Sequence, residues 1–229
     1  EASCLTDREG ELAALRKREF GCRIATIAAL TPRRWTSMDG VAEPIPRLQT
    51  LDDYYAMPDD SRYEFENGEL IEMPAPHLRH QRVCQRISTL LDSHVTSARL
   101  GEVLPGINLQ LGGQGNYIPD LVFVSEARRD VLDEDTGRVH GAPSLIVEIH
   151  SAGSSSRDRV TKFNAYFRAG VEWYWLVDRD SLAVEEYHAT RDGYIRSADA
   201  EPGGVFQPKA LPGLELNLAE LLGETASEA

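Results

Sequence analysis

Hydrophobic and polar positions change their period several times along this chain, and each change marks an element. Residues 62–73, RYEFENGELIEM, alternate about Asn67-Gly68, a pair that favours a two-residue hairpin turn. HLRHQRVCQRISTLLDSHV then moves to helical spacing, with Val83, Ile87, Leu90 and Leu91 on one face. Short strands are expected at 101–111 and 118–124, a loop through DEDTG, and a fully buried strand at 144–150. A helix is expected over about 157–169, ended by Gly170. Val160, Phe163 and Phe167 mark its core-facing stripe, leaving Lys162 on the flank beside Arg159 and Tyr166. VEWYWLVD at 171–178 reads as a second buried strand, in which Trp173-Tyr174-Trp175 pack a core or an interface rather than stack on bases. An edge hairpin turning at Asp192-Gly193 follows, and LNLAELLG closes the domain as a short helix. Upstream, Thr50 is positioned to cap a short helix over LDDYYAM.

This order predicts an α/β fold with a mixed central sheet flanked by helices. No GxGxxG or Walker-type loop is present. Residues 46–223 form one expected domain, which suits a chain of 229 residues. The segment 1–45 reads as a partly irregular N-terminal extension, in which Met38 could start a shorter natural chain, and 224–229 as a tail.

Charge narrows the partners. A formal net charge of −13 opposes a broadly basic nucleic-acid surface, so any such surface must be local. Basic residues do cluster, as Arg79, Arg82 and Arg86 near His80 and as Arg157, Arg159, Lys162 and Arg168 further on; taken alone, each cluster is an ordinary solvated helix face. No apolar run approaches the roughly 20 residues of a membrane span, and IATIAAL at 24–30 is too short for a signal peptide. Three cysteines without a CxxC point to reduced thiols and a cytoplasmic setting. His77, His80 and Cys84 share a helix face, but zinc would lack a fourth ligand.

The chemistry gathers on two acids set into strand patterns, Asp120 in YIPDLVFV and Glu148 in SLIVEIH. Alternation puts Ile146, Glu148 and His150 on one side of the strand and Leu145, Val147 and Ile149 on the other. An unpaired carboxylate there is expensive to bury, so it needs a metal, a cation or water. If the two strands are neighbours, Asp120 and Glu148 converge on a site suited to Mg²⁺ or Mn²⁺. Salt bridges at strand ends are the alternative. Lys162, on the following helix, could bring an ammonium group to the same place, although a helix lysine by default faces solvent.

These pieces resemble the PD-(D/E)XK nuclease pattern, with PD at 119–120 and VEI at 147–149. More specifically, RYEFENGELIEMPAP, HQRV, PDLVFV, APSLIVEIHS and RDRVTKFNAYFRAGVEWYWLVD resemble, in order and spacing, the bacterial Uma-two family of restriction-endonuclease-like proteins over roughly residues 47–190. The resemblance implies a restriction-endonuclease-like fold, a divalent metal on Asp120 and Glu148, and a lysine moved from strand to helix as Lys162. It places Glu64 near the metal, with Glu69 as rival, and His80 at a helix start facing the metal or a phosphate. One departure stands out: the position two residues after Glu148, usually lysine, is His150. Lys162 is preferred as the basic member, with His150 as the other candidate ligand or base.

The expected activity is therefore phosphodiester hydrolysis, with DNA the preferred substrate over RNA or a nucleotide and a homodimer as the expected assembly. The rival is a catalytically inactive module of the same fold that binds nucleic acid or protein, which the net charge and His150 favour.

Overall fold

Asn67 and Gly68 both adopt positive φ (50° and 83°), the backbone that lets two residues reverse a chain between twisted strands. They join β1 (Tyr63–Glu66) to β2 (Glu69–Glu72) in the register Glu66↔Glu69. The computed structural model describes residues 50–57, 63–75, 77–112, 115–151 and 157–223. All fall in the compact unit Ile45–Ala229; the expected extension 1–45 and the tail 224–229 lie outside the described residues. Before the hairpin, Thr50 caps α1 (Leu51–Tyr55) in a reciprocal box with Asp53.

The long amphipathic segment is α2 (Leu78–Ala98), which buries Val83, Ile87, Leu91 and Val95 at a spacing of four. Leu90, expected on that stripe, is instead 40% exposed. The helix ends as Arg99 takes a left-handed conformation and the Leu100 N–H bonds back to the Val95 carbonyl, 2.9 Å.

Beyond it the expected strand 101–111 divides into β3 (Gly101–Pro105) and β4 (Leu109–Leu111) at Gly106, whose φ is +58°. Likewise β5 (Gly115–Tyr117) and β6 (Leu121–Ser125) are separated by Ile118-Pro119-Asp120. The reason is topological. β3 and β6 pair in one sheet, β4 and β5 in another, so the chain crosses between sheets at both breaks. The Gly106 N–H donates to the Asp120 carbonyl, 3.1 Å, and ties the two crossings together.

DEDTG is the turn of a small hairpin between β7 (Leu132–Asp133) and β8 (Arg138–His140), its Asp133 carboxylate accepting the Asp135 and Thr136 N–H groups. β9 (Leu145–His150) is buried at all six positions. It runs antiparallel to β6 and parallel to β10 (Trp173–Asp178), with Trp175↔Val147. β11 (Val184–Thr190) and the edge strand β12 (Gly193–Ala200) follow, turning at Arg191-Asp192, one residue before the expected pair. LNLAELLG is not helical: Leu214, Leu216 and Leu218 are buried at period two, and β14 (Leu216–Asn217) pairs with β13 (Val205–Phe206). Strand alternation orders the start of that segment, and tight turns close the rest, the Glu220 N–H bonding to the Asn217 carbonyl and the Gly223 N–H to the Glu220 carbonyl. Glu186, wholly buried on β11, holds it by accepting the Lys209 and Ala210 N–H groups, along with Trp175 Nε1 and Ser197 Oγ.

Two six-stranded mixed sheets result, β2-β1-β5-β4-β8-β7 and β12-β11-β10-β9-β6-β3. One face of the second packs on α2 through Leu121, Phe123, Leu145, Val147, Ile149 and Trp175. Its other face presents Ile146, Tyr174 and Leu176 to Leu109, Tyr117 and Val139 of the first sheet and to Tyr166. Among the described residues no helix is long and apolar enough to cross a membrane.

Candidate active site

The sheet-crossing residues Pro105, Gly106, Ile118, Pro119 and Asp120 line a cleft of about 1140 Å³. Glu64 enters it from β1, His77, His80 and Cys84 from α2, Glu148 from β9, and Arg157 and Lys162 from the segment after β9. Asp120 stands one position beyond the pair Leu121↔Val147, so the antiparallel register carries it opposite Glu148. Its Oδ2 accepts the Ile149 N–H at 2.7 Å. His80 Nε2 lies 3.1 Å from both Asp120 oxygens. That bond holds the imidazole above the usual histidine range; burial opposes it, and the charges of Asp120 and Glu148 support it.

Lys162 and Tyr166 meet Glu148 from the other side. Lys162 Nζ donates to Glu148 Oε1 at 2.9 Å, and Tyr166 Oη donates to the same oxygen at 2.6 Å. Tyr166 is wholly enclosed; burial first, then the charge of Glu148, pushes its phenol well above the ordinary value, so it remains a donor. This corrects the expected helical stripe. Residues 157–162 form a wide π-helical turn before α3 (Phe163–Ala169), and Val160 is 57% exposed while Lys162 is 4% exposed. The wide turn rephases the helix. The pull that Glu148 and Glu64 exert on an ammonium outweighs the burial of one valine.

Glu64 is fully buried, and every one of its oxygens is engaged. Oε1 accepts the Ile118 N–H at 3.1 Å and lies 3.0 Å from Lys162 Nζ, while Oε2 pairs with Arg157. Burial alone would raise this carboxyl; the charges of Lys162 and Arg157, with the Ile118 N–H, outweigh it and hold it below its ordinary value. Its rival Glu69 is exposed on β2 and does not line the cleft.

The remaining expectations separate. His150 is buried at the end of β9, its Nδ1 4.0 Å from Asp178 Oδ2, and lies outside the cleft lining. His77 does not join a zinc site: its ring accepts the Arg79 N–H, capping α2. Burial, reinforced by Asp120, pushes the Cys84 thiol up to about 12, which leaves it a neutral lining group. Among the described residues no three His, Cys, Asp or Glu side chains form a ready metal cage. Oxygen donors come as the pair Asp120 and Glu148, a set that fits a hard divalent ion retaining water better than zinc or calcium.

Sequence reasoning passed over Arg157 and Tyr166 as site residues. The signal for Arg157 was its place in a basic cluster; for Tyr166 it was the spacing of four from Lys162, which puts both on one helix face.

The geometry can be set beside known proteins. The family described as "Putative restriction endonuclease", Uma2, matches residues 51–219. A crystal structure from Anabaena variabilis ATCC 29413, described as "a putative nuclease belonging to DUF820", superposes with a TM-score of 0.62 at 22% sequence identity, covering 78% of this chain and 98% of that one. At that identity the likeness speaks for the fold. No match is found among curated proteins.

Proposed function

The chain belongs to the Uma2 family, and from that premise and the cleft's geometry we propose that it is a metal-dependent nuclease hydrolysing phosphodiester bonds in DNA. One observation carries the reading: Lys162 Nζ sits 2.9 Å from Glu148 Oε1 in a cleft that Asp120 also lines. Asp120 and Glu148 would hold Mg²⁺ or Mn²⁺. When bound, such an ion polarises a phosphoryl oxygen and lowers the pKa of a coordinated water.

The chain's own residues do the rest. Lys162, which lines the cleft, would set its ammonium charge beside a water or a non-bridging phosphate oxygen. Its charge offsets the negative charge that builds as the water oxygen bonds to phosphorus and the ester P–O bond breaks. His80 fixes the Asp120 carboxylate and stands as a proton donor at the cleft wall. Tyr166 fixes Glu148 from the protein side. His150 takes no part in this scheme, because it faces Asp178. The reading extends to a cytoplasmic setting and to a homodimer, the latter checked by light scattering.

Plasmid nicking with Mg²⁺ or Mn²⁺ tests the proposal, with Asp120→Ala purified in parallel. The wild type should convert supercoiled to nicked or linear DNA and the variant should be slower by at least about 100-fold. Equal cutting by both assigns the activity to a contaminant. Salt-dependent binding without cutting supports the rival module, to which the net charge of −13 lends weight.

A further inference from the structure

Glu64 differs from Asp120 in how its oxygens are used, and from Glu148 in pairing with two cationic side chains where Glu148 is bonded to Lys162 and the Tyr166 hydroxyl. Asp120 is partly open to the cleft, its side chain 19% exposed, and is held by an N–H and an imidazole. Glu64 is 0% exposed and is surrounded by one main-chain donor and two cationic side chains. An ion approaching Glu64 would have to displace Lys162 or Arg157, and would leave that cation stranded in a buried setting. Both oxygens already face donors, Oε1 the Ile118 N–H and Lys162 and Oε2 Arg157. The strand β1 that carries Glu64 belongs to the opposite sheet from β9, so this carboxylate also spans the seam at which the cleft forms.

We infer that Glu64 is a positioning residue that fixes Lys162 and Arg157, that it ligates no metal, and that the site accordingly takes a single divalent ion through Asp120 and Glu148. The inference rests on the nuclease reading for the ion, and on geometry alone for the lysine. The lysine's ammonium is shared between two carboxylates from different sheets, Glu148 at 2.9 Å and Glu64 at 3.0 Å. Two anchors fix its position on the cleft wall, where one would let it pivot about Glu148. Arg157, bonded to the outer Glu64 oxygen, closes the same pair from the side of the segment that leaves β9.

The chain has three lysines, Lys17, Lys162 and Lys209, which makes side-chain reactivity readable residue by residue. Acetylation by a water-soluble reagent, followed by peptide mass spectrometry, is measured on the metal-free wild type and on Glu64→Gln, both at a temperature where circular dichroism shows them folded. Mn²⁺ binding is measured on the same samples and on Asp120→Asn by calorimetry. The expected result is one Mn²⁺ per wild-type chain and one per Glu64→Gln chain, with affinities within about threefold, and binding weakened at least about tenfold in Asp120→Asn. Lys162 should acetylate about tenfold faster or more in Glu64→Gln, the loss of a charged hydrogen bond, while exposed Lys209 is unchanged. Two ions per wild-type chain, loss of an ion in Glu64→Gln, or unchanged Lys162 reactivity would each overturn the inference while leaving the nuclease reading in place. A wild type that binds no Mn²⁺ overturns the metal reading and the single-ion claim together, and the acetylation rates then decide the positioning role on their own.

Discussion

Lys162 and Glu148 form a buried ion pair at 2.9 Å, 14 positions apart in sequence, joining the last residue of a wide helical turn to the middle of a fully buried strand. Neither partner is stable in its place alone. A buried carboxylate or ammonium without its counterpart costs about 3–5 kcal/mol, so the pair explains how a core strand tolerates an acid. It also brings a cation to the wall of an open cleft.

Replacing that cation tests its chemical role. Lys162→Met fills the same space without charge and should lower the cleavage rate by about 10²–10⁴-fold, with Mn²⁺ still bound. Rates from a plasmid assay and binding from calorimetry check this. Cleavage at the wild-type rate would remove Lys162 from the chemistry.

Tyr166→Phe deletes one hydroxyl and almost no volume. The Glu148 Oε1 oxygen then loses its 2.6 Å donor. Partners of this kind govern metal affinity by about 10–100-fold, and a hydrogen bond to a charged group contributes about 1.5–3 kcal/mol to stability. Mn²⁺ titration and urea unfolding of the variant should both report losses of that size.

Acid should weaken the metal-free protein through Glu64. Its folded-state pKa lies below the ordinary 4.5, held there against burial by Lys162 and Arg157. A group so depressed contributes stability that is present above the unfolded value and is lost as pH falls through the folded one. The melting temperature of the wild type should therefore fall as pH drops below about 4.5. Glu64→Gln should start lower at neutral pH and lack this part of the decline. Parallel acid slopes for the two proteins would contradict it.

The rephased helix gives a stability test. Val160 looks core-facing by spacing from Phe163 and Phe167 but is 57% exposed. Val160→Ala should change stability by no more than about 0.5 kcal/mol, as read from urea midpoints. A loss near that of a core valine would return it to the interior.

How far the sequence could be read follows from where local rules hold. The hairpin at Asn67-Gly68, the α2 stripe and the buried strands of Glu148 and Trp175 were legible, because turn chemistry and periodicity act within a few residues. The division into two sheets was not: strand pattern continues across Gly106 and Ile118, and only long-range pairing assigns the halves to different sheets. The C-terminal leucines satisfy helical and strand spacing alike until burial against the sheet selects one. At the site, Asp120 and Glu148 stood out as charges in apolar strand patterns, whereas Lys162, a helix lysine that by default faces solvent, was singled out by the family resemblance. Arg157 and Tyr166 did not, since their roles come from Glu64 on the other sheet and from the wide turn, neither of which has a local signature.

On the proposed reading, Asp120 and Glu148 gather one hard cation beside Lys162. Anomalous diffraction from crystals soaked in Mn²⁺ measures this directly. One peak per chain is expected at about 2.1 Å from a carboxylate oxygen of each acid, with Lys162 and Arg157 still on Glu64. A map without a peak at saturating Mn²⁺, or with its peak on Glu64, would contradict it.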